Sequence, residues 1–183
     1  MDLGELQRAS TNEEIGGTAA IGSALESAMA REHLFKTLIT WTGASAGPTE
    51  SYRSYSREFL AQVEGRADLT GSAAEAFLGD ASLHNPEDLL LASVASCHLL
   101  SYLAIAAREG ILVTSYTDEA TATMAIKDGK MRIVEATLRP KVTVTPGTDI
   151  EKAVSLHEQA NQECFIANSV NFPVHHFPEV TEG

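Results

Sequence analysis

The 183-residue chain holds two cysteines, Cys97 and Cys164, and both fall in sequence with helical character. Cys97 lies near the centre of "LLLASVASCHLLSYLAIAA", residues 89–107, nineteen positions without a formal charge, with His98 beside it. Cys164 closes the segment "DIEKAVSLHEQANQEC". A thiolate that meets a peroxide is oxidised to a sulfenic acid, and a second thiol within reach condenses with it to a disulfide. Two thiols in a chain with no others are chemically sufficient for that cycle. The same residues also fit a quieter role. On its helix Cys97 shares a face with Leu90, Ser93, Val94, Leu100, Ser101 and Ala104, all apolar or small, which equally suits a buried, inert thiol. Such a thiol becomes a nucleophile only if a cation or a helix N-terminus stabilises the thiolate, and this helix supplies no Arg or Lys near Cys97.

Other chemistries find less support. His98, His157, His175 and His176 could join the cysteines around a metal, but their spacing matches neither Cys-x-x-Cys nor His-Glu-x-x-His. There is no Gly-rich phosphate loop. A formal charge of −12, with no basic block, argues against a nucleic-acid partner. The run at 89–107 is long enough to tempt a membrane reading, yet Ser93, Ser96, His98 and Ser101 interrupt it and its flanks carry no positive-inside bias. A buried central helix fits better, so no membrane association is expected. The acidic opening "MDLGE" resembles neither a secretory signal nor a transit peptide, and a cytoplasmic location is expected.

The elements that must position these residues follow from pattern. Residues 1–32, rich in Ala, Gly and Ser, read as an N-terminal extension, with Thr11 and Glu14 a candidate capping box for a helix. Residues 33–183 form the single domain. Within it "LFKTLITW" reads as a strand, and the alternation in "ESYRSYSREFLAQVEG" predicts a second. After a loop, Asn85 caps a long helix with Pro86 in its first turn and Glu87 and Asp88 at the positive dipole end; Gly110 stops it. A hairpin about Lys127-Asp128-Gly129-Lys130 joins "ILVTSYTDEATATMAI" to "MRIVEATLRPKVTV". Thr148 and Glu151 form a capping box for the second helix, "CFIANS" reads as a helix restart, and "FPVHHF" as a closing strand. The order ββαββαβ predicts an α+β fold with antiparallel sheet packed on helices. So apolar a long helix also predicts a second copy to bury it.

The pattern "HNPEDLLLASVASCH", with a second Cys 67 positions on in "HEQANQECFIANS", resembles the family of osmotically inducible protein C (OsmC) and organic hydroperoxide resistance protein (Ohr). The likeness covers residues 34–178. It implies antiparallel sheets around long central helices in an intertwined homodimer, with two active sites at the subunit interface. It implies that Cys97 is the peroxidatic cysteine, Cys164 the resolving one, and Glu87 the acid that orients an activating Arg. The implied reaction is thiol-dependent reduction of organic hydroperoxides to alcohols, with no haem, metal or flavin. A dithiol would recycle the protein, a lipoylated protein in the Ohr branch.

One departure concerns that Arg. The OsmC branch carries it just before the turn found here as "AFLGD", where this chain has Ala76, Phe77 and Leu78; the Ohr branch carries it in the first hairpin loop. Arg57 is the substitute expected here, with Arg53 and Arg66 behind it. Glu87 and Cys97 are ten residues apart, about 15 Å along a straight helix, so sharing one guanidinium predicts an interruption near Ser93 to Ser96. That break would also bring Cys97 to a helix N-terminus. The alternative is a non-catalytic protein of this fold that binds a hydrophobic ligand at its dimer interface.

Overall fold

The computed structural model describes residues 32–183, whose compact unit is Leu38–Gly183. The helix expected within 11–32 lies outside the described residues. Among the described residues nine strands form three three-stranded sheets, and Cys97 and Cys164 lie within and at the end of two long helices, respectively.

The first sheet joins β1 (Leu38–Trp41), β2 (Phe59–Gln62) and β3 (Leu69–Gly71), antiparallel throughout. β2 is much shorter than the alternation in "ESYRSYSREFLAQVEG" predicts. Residues 51–55 turn instead, because the Ser54 hydroxyl accepts from the Ser51 N–H at 2.9 Å and donates to its carbonyl at 3.2 Å. Short side-chain to backbone bonds of this kind compete with a ladder. Trp41 Nε1 donates to the Ser56 carbonyl at 2.7 Å and ties the loop back to β1.

Helix α1 (Pro86–Arg108) follows, capped as expected: the Asn85 side chain accepts from the Asp88 N–H at 2.9 Å. At the far end Gly110 takes φ 73°, and Ile111 N–H returns to the Ala106 carbonyl at 2.9 Å, a Schellman closure. The expected interruption near Ser93 to Ser96 is absent; α1 is one continuous helix of 23 residues. It contains no glycine and no proline past Pro86, and Ser96 Oγ donates to the Ser93 carbonyl at 3.3 Å, which satisfies the hydroxyl without breaking the ladder. By length and composition α1 also meets the requirement for a bilayer span. Val94, His98, Tyr102, Ile105 and Ala106 nonetheless form a buried face within the protein.

Strands β4 (Val113–Asp118), β5 (Thr121–Lys127), β6 (Lys130–Leu138) and β7 (Pro140–Val144) come next. The β5–β6 hairpin turns at Asp128 and Gly129, φ 52° and 74°, the two positive values a type I′ turn requires. Each arm of the expected long hairpin divides between two sheets. The break falls where Asp118 Oδ1 accepts from the Arg139 N–H at 2.7 Å.

Helix α2 (Ile150–Glu163) begins at Asp149, whose carboxylate accepts from the Lys152 N–H at 2.9 Å. Thr148, the expected cap, donates instead to the Thr145 carbonyl at 2.6 Å. Beyond a 3₁₀ turn at Ala167–Ser169, β8 (Val174–His176) adds parallel to β6, and β9 (Glu179–Glu182), absent from the sequence expectation, adds parallel to β7. The architecture is therefore α+β as expected, but two of its three sheets are mixed rather than antiparallel. The core brings together Tyr102, Ile105 and Ala106 of α1, Val142 and Val144 of β7, and Ala153, Leu156 and Ala160 of α2.

Candidate functional site

α1 and α2 pack on one another, and that contact joins the cysteines. Cys97, half-buried, projects from the middle of α1; Cys164, the C-cap of α2, is fully buried. Their thiols lie near enough for each to feel the other, where α1 meets α2 and the turn after it. Burial and then the neighbouring Cys97 thiol push the Cys164 thiol up to about 11. Two backbone N–H groups oppose this: Ala167, 3.4 Å from the sulfur, and Ile166. These come from the turn that starts the Ala167–Ser169 helix, pinned by Asn168 N–H on the Cys164 carbonyl at 3.0 Å. The sequence "CFIANS" thus makes a small cradle of donors around the Cys164 sulfur.

Beside the thiols stands a histidine cluster, whose members the sequence offered only as metal ligands of unsuitable spacing. His98 Nε2 and His157 Nδ1 lie 3.0 Å apart, and both residues are fully buried. The His157 ring stacks on Tyr102 with centroids 3.8 Å apart. His176 approaches His98 at 5.6 Å and reaches Glu158 at 3.5 Å. Desolvation, and secondarily the neighbouring histidines, lower His98 to about 4 and His157 to about 3, so both rings are neutral at pH 7. The available signal was spacing: His157 precedes Cys164 by seven residues, two helical turns, and so shares its face. Among the described residues no group of three or more His, Cys, Asp or Glu side chains is arranged to hold a metal ion.

Glu87 lies apart from the thiols. On an unbroken helix it is about 15 Å from Cys97 along the axis. Neither Glu87 nor a helix N-terminus therefore acts on Cys97 within one protomer. Glu87 lines a cavity of about 320 Å³ with Leu90, Met124, Ile133, Phe172 and Arg132. Its Oε2 is buried without a partner, as is Arg132 Nε, while the Arg132 terminus pairs with Asp128.

Arg57 is engaged locally. Its guanidinium sits 4.3 Å from the Tyr55 ring centroid and 5.0 Å from that of Tyr52, and donates to both residues' carbonyls, 2.9 Å to Tyr55. None of these contacts is with Cys97 or Glu87. Arg53 and Arg66 are exposed. The protomer thus brings Cys97 and Cys164 together but unites them with neither Glu87 nor Arg57.

A family pattern described as OsmC-like protein matches residues 79–176, a span that includes Glu87 and both cysteines and excludes Arg57. Among solved structures, an OsmC-like protein of unknown function from Vibrio cholerae is 28% identical, with 81% of this chain and 100% of that one covered and a TM-score of 0.75. An organic hydroperoxide resistance protein from Elizabethkingia anophelis shares the fold at 20% identity, covering 84% of this chain and 100% of its own, with a TM-score of 0.59. Another from Bacillus subtilis does so at 21%, covering 81% and 100%, with a TM-score of 0.55. No curated protein sequence gives a significant match. With the pattern spanning more than half of the sequence and the topology common to full-length solved relatives, the chain belongs to the OsmC-like protein family.

Proposed function

We propose that this protein is a thiol-dependent peroxidase that reduces organic hydroperoxides, with Cys97 as nucleophile and Cys164 as resolving thiol. The observation that carries the reading is the approach of these two thiols, 67 residues apart in sequence, where α1 packs on α2 and the turn after it. In the first step the Cys97 thiolate attacks the terminal peroxide oxygen; the O–O bond breaks and the alkoxide takes a proton to leave as alcohol. Cys97 is then a sulfenic acid. Cys164 sulfur attacks it, the S–O bond breaks, and the departing hydroxide takes the Cys164 proton as water. A dithiol, such as a lipoylated protein, would return the disulfide to two thiols.

Glu87 and Arg57 belong to this reading as the activating pair, supplied across a homodimer. Leu100, on α1 three residues from Cys97, is 66% exposed, and Leu38 and Ile39 on β1 are exposed too, apolar surface suited to a second copy. In such a dimer Glu87 of one protomer would serve Cys97 of the other, and Arg57 would leave its tyrosines or approach from the partner. Cumene hydroperoxide added in one equivalent to reduced protein should give a Cys97–Cys164 disulfide by mass spectrometry. Its absence, or its equal formation after Cys97→Ser, would end the peroxidase reading.

A second reading, an OsmC-like protein that binds a hydrophobic ligand without turnover, is favoured by the mainly apolar cavity beside Glu87. It expects saturable binding of a medium-chain alcohol to reduced protein, weakened by Leu90→Asp, together with no disulfide on hydroperoxide addition.

A further inference from the structure

We infer that the buried His98–His157 pair is a positioning device that sets the register of α1 against α2 and so holds the Cys97 and Cys164 thiols facing one another. The inference deepens the peroxidase reading and rests on it only for the source of the oxidant.

The placement of the four residues carries it. His98 is the residue after Cys97, and His157 lies two turns before Cys164 on the same face of α2. Their 3.0 Å contact is thus one cross-link between the two helices, and the thiol pair is the next. A second link, Tyr102 Oη donating to the Ala153 carbonyl at 3.2 Å, lies one turn further along α1 from His98.

Stability alone does not account for two histidines here. His98 Nδ1 and His157 Nε2 are both buried without a partner, and each unsatisfied buried group of this kind costs on the order of 1–3 kcal/mol. Phenylalanine at position 157 would keep the stack on Tyr102 without that penalty. The polar pair supplies something apolar packing does not, a directional contact that fixes rotation and translation of one helix on the other. A hydrogen bond needs near-linear geometry and a separation close to 3 Å, whereas apolar side chains slide. Resolution of a sulfenic acid has the same need, since the attacking sulfur must meet the Cys97 sulfur in line with the S–O bond.

The test reads the thiol pair without relying on hydroperoxide. Reduced full-length protein is equilibrated with mixtures of reduced and oxidised glutathione, where two protein thiols and one oxidised glutathione give the disulfide and two reduced glutathiones. Quantifying Cys97–Cys164 disulfide by alkylation and mass spectrometry gives the effective concentration of the pair. His157→Phe and, separately, His98→Asn should lower it on the order of tenfold, and His157→Gln should restore part of the loss. Tyr102→Phe removes the other cross-link, and should lower the melting temperature while leaving the effective concentration within twofold. The inference is overturned if folded His157→Phe and His98→Asn both stay within twofold of the parent, if Tyr102→Phe lowers the value as much as they do, or if the parent forms no disulfide. Parent protein that forms the disulfide with glutathione yet not with cumene hydroperoxide refutes the peroxidase reading and leaves the positioning role standing.

Discussion

Cys97 and Cys164 approach one another within one chain although one thiol is half-buried in mid-helix and the other is sealed at a helix end. The asymmetry assigns an order of reaction. At pH 8 limiting iodoacetamide should modify Cys97 and spare Cys164, whose thiol is held protonated at about 11 and has no surface exposure. Peptide mapping that finds Cys164 labelled first would reverse the assignment of nucleophile and resolver.

Removing the resolver should separate the two steps. Cys164→Ser is expected to consume one equivalent of cumene hydroperoxide and stop at a Cys97 sulfenic acid, trapped by dimedone as a single adduct. The unmodified parent should give little adduct, because condensation competes with the trap. Equal trapping in both proteins would mean that Cys164 does not resolve Cys97.

Glu87 and Cys97 sit ten residues apart on an unbroken α1, which makes a shared site within one protomer geometrically impossible and a shared site between protomers testable. Mixing equal amounts of denatured Glu87→Gln and Cys97→Ser chains and refolding them should restore peroxidase turnover that neither variant has alone. Random pairing in a two-fold dimer makes half of the dimers hybrid, each with one intact site, so about a quarter of parental turnover is expected. No recovery would place Glu87 outside the site.

The sequence pattern carried the long helix almost to the residue, because Asn85, Pro86 and Gly110 act locally and need no tertiary partner. It also carried the tight turn at Asp128-Gly129 for the same reason. What it could not carry was decided by distant contacts. The continuity of α1 was misjudged from a functional demand on Glu87 and Cys97, although nothing between them disfavours helix. The parallel seating of β8 and β9 depends on β6 and β7, which precede them by more than thirty residues. The pairing of His98 with His157 was not legible because it exists only where two helices cross. Of the proposed site, the cysteine pair was legible; the arginine was not, since Arg57 spends its donors on its own loop.

The cap at α1 offers a check on the fold that leaves the thiols untouched. Asn85 accepts from the Asp88 N–H at 2.9 Å and its amide also donates to the Asp88 carboxylate at 2.7 Å. Asn85→Ala should lower unfolding free energy by about 1 kcal/mol, and Asn85→Ser by less. Urea titrations followed by circular dichroism measure both, and equal values for the two substitutions would contradict a capping role.

The histidine pair predicts how stability responds to acid. Burial, and then the neighbouring histidine charges, hold folded His98 at about 4 and His157 at about 3, against 6.5 in the unfolded chain. Below pH 6.5 the unfolded state therefore binds protons that the folded state refuses, and stability falls as pH falls. The stabilisation is complete above 6.5 and drains from there down to about 4 for His98 and about 3 for His157, at a limiting slope of about 1.4 kcal/mol per pH unit for each ring. The surrounding groups sharpen the effect: a protonated His176 repels both rings, and Tyr102 and Tyr116 cover His157 without offering it a counter-charge. Urea midpoints measured at pH 7.5, 6.0 and 5.0 should decline steadily in the parent and less steeply in His157→Phe, which removes one of the two buried rings. A midpoint independent of pH across that range, or an identical decline in the variant, would show that His157 is not the buried neutral group that its 3.0 Å contact with His98 requires.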